Sequence, residues 1–343
     1  MTEHSRSTVG ISVPPVRWGI LGTANIARKK VVPAMKESSL AVPWAIASRD
    51  LAKAAAVADE LGLTRAYGSY DELLADPDID AIYNPLPNHL HVPWSIRAAR
   101  AGKHVLCEKP IALTAAEARS LIDVRNETGV VIGEAFMVRS HPQWLEVKRM
   151  IDDGRIGTLR LVSGHFSYYR RDPDDIRSHV DWGGGALMDI GCYPIFIARW
   201  MFGTEPTEVV AMVDRDPELG IDYLTSALMR FPTGQATFTC AGQLVPYQRM
   251  HMFGDRGRIE VEIPFNAPPD RSCRIFVDDG SLLGGAGAVE IHLPVVNQYA
   301  LQADAFSRAI RGVGPVPVSL ETALGNMAAI DALWRFVAQR PLR

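Results

Sequence analysis

The sequence predicts an α/β half followed by an α+β half, and three observations carry that prediction. From Val16 to about residue 135, short apolar runs alternate with helical stretches, the pattern of a parallel, doubly wound sheet. From Glu208 to Pro294, strand follows strand, with hairpin turns at Pro232-Thr-Gly234 and Asp255-Arg-Gly257, which argues for a large, mostly antiparallel open sheet. At 343 residues the chain also exceeds one ordinary core, so two domains are expected, 16–135 and 136–343, behind a flexible tail at 1–15.

Bulk composition narrows the function classes. Hydrophobic residues make up 47% and charged residues 22%, with 36 basic against 39 acidic side chains and a net charge of −3. That balance gives no support to a nucleic-acid or membrane-surface partner. No apolar run approaches the roughly 20 residues a bilayer span needs. The tail is polar and then Pro-Pro, without the apolar core of a secretion signal. Cys107, Cys192, Cys240 and Cys273 are scattered without a C-x-x-C pair, so neither a structural zinc nor a disulfide framework is expected and a reducing cytoplasm fits.

In the first half, the strand Val16–Leu21 runs into Gly22-Thr23-Ala24-Asn25-Ile26-Ala27, and a helix bearing Val31, Val32 and Met35 follows. Strand, glycine turn and helix start is the context of a dinucleotide fingerprint: Gly22 for the tight turn, small Ala24 for approach to a pyrophosphate, and helix N–H groups for the phosphates. The next strand, Pro43–Ala47, ends in Ser48-Arg49-Asp50. An NAD site usually carries an acid at such a strand end to hold the ribose hydroxyls. Ser48 and Arg49 instead suit a 2′-phosphate, so NADP(H) is preferred and NAD(H) possible. Asp50 is read as the N-cap of a helix to Leu61 that Gly62 closes.

Ser69-Tyr-Asp-Glu72 is a capping box. A strand at Ala81–Tyr83 leads to Asn84-Pro85-Leu86-Pro87-Asn88-His89-Leu90-His91, read as a loop lining the cofactor cleft and then a helix from Val92 to Ala101. His89 and His91 lack a third ligand, so no metal is expected. The strand His104–Cys107 stops at Glu108-Lys109-Pro110, because proline cannot donate a sheet hydrogen bond. Ligands of open parallel sheets bind just past the strand carboxyl ends, where Lys109 sits. Thr114-Ala-Ala-Glu117 opens a further helix, and Val130–Ile132 is a last strand.

The second half begins with a helix, Pro142–Asp152, and a strand, Thr158–Tyr169. Strands at 209–213, 224–231, 235–241, 248–253, 258–263, 274–277 and 290–293 follow, then helices at 298–310 and 320–338. Between strand groups lies Trp182-Gly-Gly-Gly-Ala-Leu-Met-Asp189-Ile-Gly-Cys-Tyr193-Pro194. Asp189 and Tyr193, four apart, share a helical face, and Pro194 is expected to interrupt the helix just after them.

These motifs together resemble the glucose–fructose oxidoreductase / inositol dehydrogenase / rhizopine-catabolism (Gfo/Idh/MocA) family over nearly the whole chain after the tail. The marks are the Gly22 turn, Pro87-Asn88 with His91, Gly102-Lys-His-Val, Glu108-Lys109-Pro110 and Gly183-Gly-Gly-Ala-Leu-Met-Asp-Ile-Gly191. The resemblance implies a Rossmann dinucleotide-binding domain followed by a substrate-binding and oligomerisation domain. Many relatives carry His four residues after the aspartate. Tyr193 stands there here, as in the NADP-preferring branch that includes dihydrodiol dehydrogenase, xylose dehydrogenase and sugar 3-ketoreductases.

The resemblance further implies Lys109, Tyr193 and Asp189 as catalytic residues, with hydride passing between NADP(H) and a carbinol or carbonyl carbon of a sugar or polyol. Tyr193 would exchange the proton, its phenol lowered toward neutrality by the Lys109 ammonium. Asp189 would bind substrate hydroxyls or orient the lysine, and Glu108 would contact the nicotinamide ribose. Arg139, His141, Arg170 and Tyr299 are further substrate candidates. Expected partners are a small sugar and a second or further copies of the chain, a dimer or tetramer through the second sheet. Two other readings stand beside this one. Trp144, Trp182 and Phe166 leave room for a dihydrodiol or small-carbonyl dehydrogenase, and a non-catalytic NADP-sensing regulator could keep the fold.

Overall fold

The computed structural model describes residues 14–339. The expected tail therefore lies largely outside the described residues. Its last two members are pinned, with the Arg311 guanidinium donating to the carbonyls of Pro14 (3.1 Å) and Pro15 (2.8 Å).

Six strands form the first sheet: β1 (Val16–Leu21), β2 (Ala41–Ala47), β3 (Arg65–Tyr67), β4 (Ala81–Asn84), β5 (His104–Glu108) and β6 (Ile132–Ala135). They pair in the order β3-β2-β1-β4-β5-β6, every pair parallel. The chain thus reverses direction across the sheet between β1 and β4, where such sheets bind ligands. β2 begins two residues before the expected start, and its register with β1 slips opposite Pro43, which has no N–H for the ladder. Strand β3, three residues long, was too short to stand out in the sequence. β6 lies two residues later than expected, ending where Ala135 passes into the site.

Eight strands form the second sheet: β7 (Leu159–Tyr169), β8 (Glu208–Arg215), β9 (Asp222–Phe231), β10 (Gly234–Ala241), β11 (Gln243–Gly254), β12 (Arg258–Val261), β13 (Arg274–Asp278) and β14 (Val289–His292). Their order is β14-β13-β12-β11-β7-β10-β9-β8, antiparallel except for β7 against β10. Central β7 supplies Phe166 and Tyr168 to the cleft between the sheets.

One apolar core runs under both sheets. Phe136, just past β6, stacks on Phe196 of the helix Cys192–Phe202 with ring centroids 4.5 Å apart. The C-terminal helices are shared in the same way. Ala303 and Phe306 of Gln298–Ile310 pack into the cluster around Val16, Trp18 and Ile20 of β1. Among the described residues no helix is long and apolar enough to cross a membrane, and no group of three or more His, Cys, Asp or Glu is placed to hold a metal ion.

Candidate active site

The site is built around the end of β5. Glu108 accepts from the Tyr83 hydroxyl at 2.6 Å, and Lys109 follows, joined to Pro110 by a cis peptide. Two buried side chains fix this loop from behind. Glu134 on β6 accepts the Ile111 N–H at 2.8 Å, and burial pushes its carboxyl up to about 8. The His91 ring spans two loops, with Nδ1 2.8 Å from the Pro110 carbonyl and Nε2 2.6 Å from that of Leu86. Burial drives its pKa down to about 4, so the ring is neutral with a single N–H. Only 1% exposed, His91 braces the wall of the cleft that it helps to line.

The second wall is the helix running from 187 to 202. It begins with a wide π turn, Leu187–Gly191, and continues as the α-helix Cys192–Phe202 straight through Pro194. The expected interruption does not occur. Pro194 lies in the interior of this continuous helix, and the wide turn just before it relieves the backbone. The same proline offers no N–H to the carbonyl four or five residues back. The Asp189 carbonyl accepts from Lys109 Nζ at 2.6 Å instead.

Lys109 and Asp189 lie at the centre of a cluster drawn from four segments. Lys109 Nζ is 3.1 Å from Asp189 Oδ1, while Asp189 Oδ2 accepts from the Tyr168 hydroxyl at 2.7 Å and lies 2.9 Å from Arg177 Nε. Burial alone would raise the Asp189 carboxyl, but Arg177, Lys109 and the Tyr168 hydroxyl hold it far below the usual carboxylate range. Burial would likewise lower the Lys109 ammonium, and Asp189, Cys192 and Glu108 together outweigh it, leaving the pKa above the ordinary value. Lys109 is therefore a buried, fully charged ammonium.

Tyr193 shares this cleft in an aromatic nest, edge-on to Phe136 and Phe166. The Lys109 Nζ stands 5.2 Å from its ring centroid, so the ammonium faces the ring. The expected lowering of the phenol is overturned: burial raises its pKa well above the ordinary value, and Tyr299, Cys192 and Glu108 add to that. The lysine charge is already balanced by Asp189. The hydroxyl makes only a weak contact, 3.6 Å from Met137 Sδ.

Past the end of central β1, Gly22 has φ +75°, and a Cβ there would stand 2.9 Å from Leu86 Cδ2. Thr23 and Ala24 lead from it into the helix, which starts at Asn25 and widens into a π turn at Ala27–Val31. This close turn at a helix start, with glycine at 22 and a small alanine at 24, fits a dinucleotide pyrophosphate. Asp50 caps the helix Leu51–Leu61, accepting the Lys53 N–H at 3.2 Å, and so is engaged away from any ribose. Ser48 is buried beside it, and Arg49 is exposed.

The fold gathers Ile26, Pro85, Leu86, Asn88, His91, Glu108, Lys109, Arg170, Asp189, Tyr193 and Tyr299 around one cleft of about 410 Å³. Two substrate candidates fall outside it. Arg139 lies over the Trp200 ring at 4.3 Å, and buried His141 caps the helix Pro142–Asp152, accepting the Gln143 N–H at 3.2 Å. Trp144 is likewise core, its indole donating to the Pro264 carbonyl at 2.7 Å. Tyr168 and Arg177 were not singled out from the sequence. Tyr168 is one of several aromatic residues on a strand, and Arg177 lies in a charged loop with Asp174 and Asp175, so no local signal sets either apart.

Comparison with known proteins agrees with this fold. Residues 16–136 match a family described as an oxidoreductase family with an NAD-binding Rossmann fold, and residues 144–260 match a GFO/IDH/MocA C-terminal domain. An uncharacterized oxidoreductase of Rhizobium meliloti is 50% identical over 93% of this chain and 96% of its own. A D-xylose 1-dehydrogenase (NADP(+)) of Haloferax volcanii is 38% identical over 92% of this chain and 96% of its own. A crystal structure of a 3-ketoreductase from Actinomadura kijaniata, in complex with NADP and TDP-benzene, superposes with a TM-score of 0.87 at 32% identity, covering 94% of this chain and 97% of that one.

Proposed function

The chain belongs to the Gfo/Idh/MocA family of oxidoreductases, and from that premise we propose that it moves hydride between NADP(H) and a carbinol or carbonyl carbon of a sugar or polyol, with Lys109 and Tyr193 handling the proton. The observation that carries this reading is the buried Lys109 ammonium, held by Asp189 within 5.2 Å of the Tyr193 ring in a cleft at the carboxyl ends of β4 and β5.

Gly22 to Ile26 would hold the pyrophosphate, Ser48 and Arg49 the 2′-phosphate, and Glu108 the nicotinamide ribose; bound there, NADP(H) supplies or takes the hydride. Asn88 helps shape the cleft by donating to the Gly183 carbonyl at 2.8 Å. In the reductive direction the substrate oxygen gains negative charge. The Lys109 ammonium stabilises that charge without reorganising, because Asp189 already fixes its position. A phenol raised by burial is neutral at ordinary pH, so Tyr193 can donate its proton to the oxygen, exchanging its weak contact to Met137 for a strong one. In oxidation the proton runs the other way. Asp189, Tyr168 and Arg177 form a polar floor suited to the hydroxyls of a sugar.

The test is a cofactor-turnover screen of aldoses, inositols and deoxy-ketosugars, with NADP and NAD in parallel and a trans-dihydrodiol arm. Turnover of a sugar with NADP supports the reading. NADPH binding without turnover of any substrate would point to a sensor. Faster turnover of the dihydrodiol than of every sugar would favour the small-carbonyl reading, for which Phe166 and Trp182 at the cleft are the support.

A cytoplasmic setting and a homo-oligomer complete the proposal. Cys107, Cys192, Cys240 and Cys273 are all free and buried, which suits a reducing compartment. On the outer face of the second sheet, Val210 and its paired neighbour Leu228 are 45% and 38% exposed beside Met212 at 65%, an apolar surface suited to a second copy. Light scattering at micromolar concentration would measure the mass; a monomer would reject the oligomer.

A further inference from the structure

We propose that Asp222, at the start of β9 in the second sheet, is a positioning residue for this reaction: it anchors the N-terminus of the helix that presents Asp189 and Tyr193 to Lys109. The activity arm of the argument rests on the proposed sugar oxidoreductase reading; the structural arm stands apart from it.

The first N–H groups of any helix lack intrahelical partners and are commonly satisfied by a Ser, Thr, Asp or Asn just before the helix. This helix has no such residue. The chain enters it through Gly183-Gly-Gly-Ala186, and Ala186 provides no side-chain cap. Asp222 supplies the missing acceptor from 35 residues further along, taking the Leu187 N–H on Oδ2 at 2.7 Å. The same oxygen accepts from the Thr225 hydroxyl at 3.0 Å, which fixes the carboxyl on its own strand. The carboxyl presses against the entering chain so closely that a Cβ on Gly185 would stand 1.9 Å from Oδ1, and Gly185 has φ +102°. Glycine at 185 is therefore required by this contact as well as by its own backbone.

Leu187 lies two residues before Asp189, and the first helical bond of the turn runs from the Asp189 N–H to the Gly185 carbonyl at 3.1 Å. Asp222 thus grips the helix next to the residue that holds Lys109, and is itself 2% exposed, out of reach of substrate. Burial pushes its carboxyl up to about 7 against the pull of the Leu187 N–H, the Thr225 hydroxyl and Arg215, so asparagine is close in charge and shape to the neutral form. Displacement of a reacting group by about 1 Å costs roughly a hundredfold in rate. A helix loosened at this end would displace Asp189 and Tyr193 together.

The experiment compares the wild-type full chain with Asp222→Ala, Asp222→Asn and Thr225→Val, measuring kcat, KM, NADPH affinity and hydrogen exchange of the segment 185–193. Asp222→Ala is expected to lower kcat by about tenfold to a hundredfold with NADPH affinity unchanged, and to speed exchange within 185–193. Asp222→Asn is expected to restore most of both. The proposal is overturned if Asp222→Ala keeps kcat and exchange near wild type, if NADPH affinity falls in step with kcat, or if faster exchange spreads evenly over the second sheet. Should Asp222→Ala not fold, Thr225→Val is expected to show the same two changes at smaller size, and wild-type values in that variant would overturn the proposal. A wild type that turns over no sugar rejects the proposed function only, and the exchange measurement then decides the role of Asp222.

Discussion

The two ends of the cleft are built on different principles. At the end proposed for the pyrophosphate, the chain offers a glycine turn, a helix start, and two side chains, Ser48 and Arg49, following β2. At the reaction end, four buried or half-buried side chains from four separate segments, Lys109, Tyr168, Arg177 and Asp189, hold one another by charge and hydrogen bonds. The first end rests mainly on turns and helix starts that the local chain sets by itself. The second end is coupled through Asp189, the one carboxylate that Lys109, Arg177 and Tyr168 share, so its loss leaves two cations facing each other.

That contrast can be pressed hardest at Lys109. Lys109→Met, which keeps the stem and removes the charge, is expected to lower kcat by about three orders of magnitude with NADP(H) affinity nearly intact. Parallel loss of both in a titration would move Lys109 into cofactor binding and blur the two ends. Asp189→Asn comes next. It leaves Arg177 and Lys109 facing each other without a carboxylate, so unfolding should become easier by about 3 kcal/mol. Thermal and urea unfolding that match the wild type would mean the cluster is not coupled. Arg49→Ala, at the other end, is expected to weaken NADPH by roughly tenfold relative to NADH and leave the melting temperature alone. Equal weakening of the two cofactors would remove the 2′-phosphate role.

An effect that shows only as a pH dependence concerns Glu134, behind the Lys109 loop. Its folded pKa, about 8, lies above the ordinary value of 4.5. The folded chain therefore keeps a proton that the unfolded chain releases. The stability this contributes is fully present below about 4.5 and is lost as pH rises toward 8, by at most about 1.4 kcal/mol per unit. Glu134→Gln lacks this slope, so its melting temperature relative to wild type should climb between pH 5 and pH 8. A constant difference across that range would mean that Glu134 is charged in the folded protein.

Much of the pyrophosphate end could be read from the chain, because its determinants are local. Strand, glycine turn and helix start are contiguous at Val16–Met35, and Asp50 and Thr114 cap their helices where the sequence placed them. The reaction end was legible only in part. Lys109, Asp189 and Tyr193 stood in motifs, but Tyr168 and Arg177 carry no local mark, and Arg139 and His141, candidates as polar groups for a sugar, are claimed by packing and capping. Pro194 misled for a related reason. Its effect on a helix depends on whether the preceding turn is α or π, which is settled by what the freed carbonyls find nearby.

By itself, then, the sequence determined the alternation of elements, the turn glycines, the helix caps and the strand end that carries Lys109, since each depends on residues within a few positions of one another. Tertiary structure decided the charge state of the site. Whether Tyr193 is raised or lowered, whether Lys109 is balanced, and which acceptor closes the helix at Leu187 depend on groups brought together from 35 or 80 residues away in a medium that screens poorly. Electrostatic energies there follow distance and burial, and neither quantity is written in the order of the residues.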